Sequence, residues 1–331
     1  MTSFVQGIDV SRYQPNVDWP RVKAAGIAFV VAKASQANWN DPLFAKHWPG
    51  AKDAGLLRGA YHFLTPDVDP LKQAAAYLKA LGSDPGDLPP VLDIEAKTDN
   101  PAQLAKHAQA WIAEVEKQLK RKPVIYTAAW YWNSGMLIGG KYPAWAADYA
   151  LWVAAYPVKG GMPTLAELAQ GKYKPLLPKS WTSWLFWQYS EKGRVDGIIN
   201  PDGKPANVDM NIFGGSLEDF GKALGLDPAR LADLPQYEAP VSFAVEMPEG
   251  SYGEASETEG STAHLAEAMG AGAAAPKKPA RKAARPAKKA AKPAKKKAAK
   301  KPAKKAKAKA KPAKKAAKKK PARKAAARRR K

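Results

Sequence analysis

Short apolar runs separated by helical patterns fill residues 1–215, and this alternation restricts the chain to few folds. Several runs, such as FVVA and PVIY, are almost continuously apolar, which is typical of strands buried on both faces. Strands that alternate with helices favour a parallel α/β arrangement, and about eight of them in one domain favour a closed barrel. The predicted strands are 7–11, 29–35, 58–64, 90–95, 123–128, 151–156, 185–190 and 208–213.

The helical patterns lie at 18–25, 41–54, 70–81 and 101–119, and a closing helix is predicted at 216–224. The first four open with Asp or Pro near the first turn, where both residues favour helix initiation. Between residues 190 and 208 the chain is rich in Gly, Pro and Asn, and no helical pattern fits. Without a crossover helix, the last strands are expected to join antiparallel. The prediction is a single distorted TIM-like β/α barrel.

The net charge of +24 is concentrated at one end of the chain. Residues 276–331 contain 29 of the 54 Lys and Arg and no acids, so residues 1–275 have 25 basic and 30 acidic residues. We therefore predict a barrel at 1–224, an acidic Pro/Gly/Ser-rich linker at 225–275, mostly disordered, and a disordered Lys/Ala/Pro-rich tail at 276–331. A short strand within the linker, VSFAVEM, is a further possibility.

The absence of cysteine excludes disulfides and thiolate metal sites. The scattered His and Asp residues form no metal-binding motif, and we expect no cofactor. Neither a secretory signal nor an apolar run of about 20 residues is visible, so we expect synthesis in the cytoplasm without a transmembrane segment. We also expect a monomer.

The sharpest chemical signal is the run VLDIE, in which Asp93 and Glu95 follow an apolar strand. Alternation in a strand directs both side chains to the same side, and active sites in β/α barrels lie at this end of the strands. Asp9 ends the first strand in the same way, and Asp209 belongs to the last strand, which neighbours the first in a closed barrel. Such acids, with no obvious cationic partner, indicate glycoside hydrolysis, which needs one protonated carboxyl and at least one carboxylate.

Aromatic and amide side chains near the strand ends are candidate sugar contacts. Aromatic rings pack on the apolar faces of pyranoses, while hydroxyl and amide groups bind ring substituents. The candidates for substrate binding are Tyr61, Tyr126, Trp152, Tyr156 and Gln188.

Two other residues in these strands are interpreted as structural. Trp187 is assigned to the core or outer layer. His62 is expected to point away from the cleft, because this chemistry needs no imidazole.

Eight pieces of sequence occur in an order that resembles glycoside hydrolase family 25, the Chalaropsis-type lysozymes. They are GIDVSRYQ at 7–14, DPLF at 41–44, GAYHF at 59–63, PPVLDIE at 89–95, PVIYT at 123–127, LWVAAY at 151–156, FWQYS at 186–190 and VDMNIF at 208–213. The resemblance implies a β/α barrel with irregular final strands that hydrolyses the β-1,4 bond from N-acetylmuramic acid to N-acetylglucosamine in peptidoglycan.

By this resemblance, Glu95 matches the general acid, Asp93 its partner, and Asp9 and Asp209 the other acids of the site. The 2-acetamido oxygen is expected to attack the anomeric carbon with help from Asp93, giving net retention; a direct carboxylate nucleophile is the alternative. The family usually has the sequence ATEG after the second strand, whereas this chain has Ala-Ser-Gln-Ala at 34–37. An amide thus replaces an acid at the rim.

Two other functions stay open at this point. One is a chitinase-like or other hydrolase of acetamido sugars, and the other is a polyanion- or DNA-binding protein with a non-catalytic barrel. The tail resembles the C-terminal tails of histone H1 and bacterial H1-like proteins, and its charge density predicts binding to polyanions, either anionic envelope polymers or nucleic acid. For a lysozyme without a signal, the expected place of action is the bacterial cell wall after release by another route.

Overall fold

Eight strands form a closed barrel in the computed structural model, which describes residues 3–239. Seven of them are joined in parallel around the barrel, the first pairing with the second to close it. The barrel strands are β1 (Ser3–Val10), β2 (Phe29–Gln36), β3 (Leu57–Phe63), β4 (Val91–Asp93), β5 (Val124–Ala128), β6 (Leu151–Ala154), β7 (Phe186–Gly193) and β8 (Val208–Gly214). The predicted barrel is confirmed.

The last strand, β8, runs antiparallel to both of its neighbours, β7 and β1. The chain between β7 and β8 contains no helix, and its only strand, Ile198–Ile199, pairs with Asn16–Val17. Because a connection without a crossover helix returns the chain to the end it left, β8 begins where the parallel strands finish. This confirms the predicted irregular ending of the barrel and brings the start of β8 to the site.

The helices cover the outside of the barrel and begin mostly where the sequence predicts. They are α1 (Trp19–Ala24), α2 (Phe44–Asp53), α3 (Pro70–Leu81), α4 (Pro101–Leu119), α5 (Ala129–Gly135), α6 (Leu165–Ala169) and α7 (Leu217–Leu224). Side chains of Asp18, Asp69, Asn100 and Ser216 accept hydrogen bonds from first-turn amides of α1, α3, α4 and α7. The sequence did not predict α5, α6 or the 3₁₀ turn Ala144–Asp148, which are too short for a periodic pattern.

Alternating side chains divide the core into two layers. Residues such as Phe29 and Val31 of β2 fill the barrel interior, while their neighbours Val30 and Ala32 pack outwards against the helices. The ring of Phe220 from α7 packs against Phe29 with 5.5 Å between ring centroids, and so closes one end of the interior. The interior is therefore filled at that end.

The predicted structural residues lie in the outer layer. Trp187 is fully buried there, as expected. His62 is also fully buried and faces away from the pocket. Its ring nitrogens hydrogen-bond Ser35 and Gln73, and it stacks on Trp111.

The packed chain continues past residue 224, where the linker was predicted to begin. The strand Tyr237–Glu238 pairs with the start of β1, and Tyr237 stacks on Phe4 with 4.6 Å between ring centroids. Leu234 is buried, and Arg230 forms an ion pair with Asp87. Leu226, Leu231 and Ala239 also pack against the core, so the packed chain extends to residue 239, past the predicted boundary. The predicted linker from 240 onwards, its VSFAVEM strand and the tail lie outside the described residues.

Candidate active site

A pocket of about 390 Å³ opens at the carboxyl ends of the parallel strands. Its lining includes every residue that the sequence analysis proposed for catalysis or substrate binding, together with two that it did not: Asp9, Lys33, Tyr61, Phe63, Asp93, Glu95, Tyr126, Trp152, Tyr156, Gln188 and Asp209. The residues come from all eight strands or from the chain just after them. Barrel closure, and not proximity along the chain, therefore assembles this pocket.

The four acids arrive from three places in the barrel. Asp9 near the end of β1 and Asp209 near the start of β8 are direct partners in the antiparallel register. Asp93 is the last residue of β4, and Glu95 lies just beyond that strand, where the amide of Ile94 still donates to Tyr126 on β5. Glu95 was predicted inside the strand; the strand ends earlier, but Glu95 still lines the same pocket as Asp93.

Asp9 is held by two buried amides. Its Oδ2 accepts hydrogen bonds from Nε2 of Gln188 at 2.9 Å and Nδ2 of Asn211 at 2.8 Å. Burial raises the pKa of Asp9, and these two hydrogen bonds, together with one from Asp209, oppose the rise. Burial and the charge of Asp9 raise the pKa of Asp209 well above its usual range, so Asp209 is the member of the pair that keeps a proton.

The amides are themselves fixed by aromatic donors. The hydroxyls of Tyr126 and Tyr156 donate to Oε1 of Gln188 at 2.8 and 2.6 Å. The indole Nε1 of Trp152 donates to Oδ1 of Asn211 at 2.8 Å. This buried network gives each amide one orientation, which presents its NH₂ group to Asp9.

Asn211 was not among the predicted site residues. The alternation of β8 places it two residues after Asp209, on the same face, and it is fully buried. The signal in the sequence that could have found Asn211 is an amide two positions after a candidate acid in a predicted buried strand, because a buried amide needs hydrogen-bond partners.

Asp93 and Glu95 form the second pair of acids. Burial, the neighbouring Glu95 and Asp9 raise the pKa of Asp93 well above its usual range. Burial, with a contribution from Asp9 and opposed by Lys33, raises the pKa of Glu95 to about 7. Oδ1 of Asp93 is buried and has no hydrogen-bond partner among the described residues. A carboxyl that holds a proton near neutrality beside a second acid is the arrangement that general acid catalysis requires.

Lys33 contradicts the expectation that the acids have no cationic partner. It lies on β2, is 9% exposed and lines the same pocket. Its Nζ donates to Oε1 of Gln36 at 2.7 Å and lies 5.0 Å from the centre of the Phe63 ring. Gln36, the amide that replaces the family's acid, therefore contacts the one cation that lines the pocket in the described part of the chain.

A wider groove of about 1160 Å³ continues from the pocket and shares Asp9 and Asp209 with it. It is lined by the exposed ring of Tyr13 and by the side chains of the β7–β8 connection, including Arg194. A polymer chain bound in this groove could place one linkage beside the four acids. Within residues 3–239, no group of three or more His, Cys, Asp or Glu side chains is placed to hold a metal ion.

Comparison with known proteins agrees with this geometry. The model of glycosyl hydrolases family 25 matches residues 8–198, more than half of the chain. The chain belongs to glycosyl hydrolases family 25. It is thus a glycosidase, and the pocket with its four acids is the candidate active site of a family 25 barrel.

Three relatives place the chain within the family. It is 35% identical to Lysozyme M1 of Streptomyces globisporus over 230 residues, covering 65% of this chain and 69% of the relative. It is 34% identical to N,O-diacetylmuramidase of a Chalaropsis species over 145 residues, covering 39% and 69% of the two chains. The crystal structure of a bacterial lysozyme from Streptomyces coelicolor superposes with a TM-score of 0.55 at 31% identity, covering 69% of this chain and all of that one.

Proposed function

We propose that this family 25 glycosidase is a lysozyme that hydrolyses the β-1,4 bond between N-acetylmuramic acid and N-acetylglucosamine in peptidoglycan. The observation that carries the proposal is the convergence of Asp9, Asp93, Glu95 and Asp209 in one pocket that continues into a wider groove. The relatives named lysozyme and N,O-diacetylmuramidase support the choice of substrate. The proposed place of action is the bacterial cell wall.

In the proposed mechanism, Glu95 donates its proton to the glycosidic oxygen as the bond to the anomeric carbon breaks. The 2-acetamido oxygen of the same sugar attacks that carbon, and ionised Asp93 accepts the amide N–H and stabilises the positive charge that develops. The unpartnered Oδ1 of Asp93 is available for this hydrogen bond. Glu95 then removes a proton from water, which opens the cyclic intermediate with net retention.

The remaining acids and the tyrosines hold the sugar in place. Burial near the carboxylates raises the pKa of Tyr61, Tyr126 and Tyr156 well above the usual range, so their hydroxyls stay protonated. Because those of Tyr126 and Tyr156 donate to Gln188, they offer a sugar only their acceptor lone pairs. Asp9, fixed by its two amides, is a rigid acceptor for the ring substituents. The alternative in which a carboxylate attacks the anomeric carbon directly predicts a covalent sugar–enzyme ester.

The test is digestion of purified cell walls followed by identification of the new reducing ends. Muramic acid at those ends supports the proposal, whereas glucosamine indicates a different acetamido-sugar hydrolase. Glu95→Gln should abolish the loss of turbidity while the circular dichroism spectrum stays that of the wild type. Near-normal lysis by the folded variant would exclude Glu95 as the acid.

We propose in addition that residues 276–331 bind anionic envelope polymers. The 29 positive charges and the absence of acids support binding by counterion release, which weakens as salt rises. Deleting 276–331 should reduce binding to whole walls at low salt and leave turnover of soluble fragments unchanged. Wall binding that survives the deletion contradicts this role, and preferential binding of the tail to DNA over wall polymers indicates the nucleic-acid alternative.

A further inference from the structure

Lys33 is a buried cation that faces acids from several parts of the barrel. On β2 it pairs in register with Tyr61 of β3, and Phe63 of β3 pairs with Asp93 of β4. The acids that act on its charge are, in decreasing order, Asp93, Asp41 and Glu95, and Arg12 acts in the opposite direction. Asp93 and Glu95 in turn face Asp9 and the hydroxyl groups of Tyr126 and Tyr131.

No carboxylate neutralises Lys33 directly. Among the described residues, no ion pair within 4.0 Å is recorded for its ammonium, and its hydrogen bond goes to the neutral amide of Gln36. The centres of the Phe63 and Tyr61 rings lie 5.0 and 5.9 Å from Nζ, within the range of cation–π interaction. Burial lowers the pKa of Lys33 from its usual value, and Asp93 opposes this shift. The charge of the ammonium acts through space on the pocket, where low polarisability weakens screening.

The two acids of the catalytic pair need different protonation states, and burial alone favours the opposite of the distribution that catalysis needs. Asp93 is 4% exposed and Glu95 is half-buried, so desolvation favours a proton on Asp93. The proposed mechanism requires Asp93 ionised and Glu95 protonated. Lys33, which lines the same pocket, is a fixed positive charge that opposes a proton on both acids.

We propose that Lys33 is a positioning residue whose charge favours the ionised state of the Asp93–Glu95 pair and so sets the pH range of catalysis, and that Gln36 fixes its ammonium without neutralising it. The inference rests on the proposed roles of Asp93 and Glu95. This role also explains Gln36, which stands where the family usually has an acid, because an amide can bind the ammonium of Lys33 without cancelling its charge.

The experiment measures kcat/KM on purified walls across about pH 4–9 for full-length variants. Lys33→Met removes the charge, so the proton is held more tightly by both acids, and the whole pH profile should move upwards by about 1 pH unit or more. Activity at the wild-type optimum should fall about tenfold and recover at higher pH. Lys33→Arg keeps the charge and should keep the wild-type profile.

Gln36→Glu provides an independent test at a half-buried position, and it decides the matter if Lys33→Met does not fold. A carboxylate at 2.7 Å from Nζ pairs with the lysine and should move the profile in the same direction by a smaller amount. Lys106→Met is the matched control, because Lys106 is exposed on α4 and does not line the pocket.

A folded Lys33→Met variant with an unshifted profile would overturn the inference. So would activity lost equally at every pH, because that result means that Lys33 binds the substrate itself. Wild-type protein that releases no muramic acid reducing ends from walls would instead refute the proposed function.

Discussion

Replacing Glu95 with Gln should remove lysis and, at the same time, stabilise the folded protein above pH 7. The pKa of Glu95 is raised from 4.5 to about 7, mainly by burial. A carboxyl with a raised pKa binds its proton more tightly in the folded state. Its contribution to stability is therefore greatest below the unfolded pKa and is lost as pH rises through the folded one. Glutamine does not ionise and so escapes this loss.

The magnitude follows from the size of the shift. Each pKa unit corresponds to about 1.4 kcal/mol, so a rise from 4.5 to about 7 corresponds to at most about 3 kcal/mol. Because Glu95 is partly exposed, solvent screening reduces this value. We expect Glu95→Gln to match the wild type near pH 4 and to exceed it by about 2–3 kcal/mol near pH 8.

The assay is urea unfolding of both proteins at the two pH values, with turbidity loss of walls measured in parallel. Glu218→Gln is the matched control: Glu218 is exposed on α7 and pairs with Lys222, so its loss should cost less than about 1 kcal/mol at either pH. Equal free energies of unfolding for Glu95→Gln and wild type at pH 8 would refute the reasoning, because Glu95 would then pay no cost of ionisation in the pocket.

One further substitution tests the supports of the site, and a pair of deletions tests the end of the packed chain. Asn211→Ala removes two hydrogen bonds, to Asp9 and from Trp152, at a fully buried position. It should lower the free energy of unfolding by about 2–4 kcal/mol and reduce lysis. An unchanged urea midpoint would contradict the role of this network. Deleting 240–331 should leave the thermal midpoint of the barrel unchanged. Deleting 225–331 should lower that midpoint and reduce the free energy of unfolding by at least about 2 kcal/mol, because the stacking of Tyr237 and the burial of Leu234 are lost. Equal midpoints for the two deletions would mean that residues 225–239 add nothing to the fold.

Local patterns were enough to predict the barrel and the acids. Helices α3 and α4 begin and end where the sequence predicts, because a capping residue and a proline mark their starts and their apolar stripes are long. Asp9, Asp93 and Glu95 follow apolar strands, and this position relative to a strand is readable without knowing the partners. The antiparallel last strand followed from a connection that lacks a helix.

The sequence by itself determined which side chains stand at the strand ends, because burial on both faces and helix capping are local properties of the chain. Only the tertiary structure decided their environment. Lys33 lies in the run FVVAKASQ and is distant in sequence from Asp93, so its place among the acids depends on how the barrel closes. The proton affinity of Glu95 is equally non-local, because burial and charges from other strands produce it.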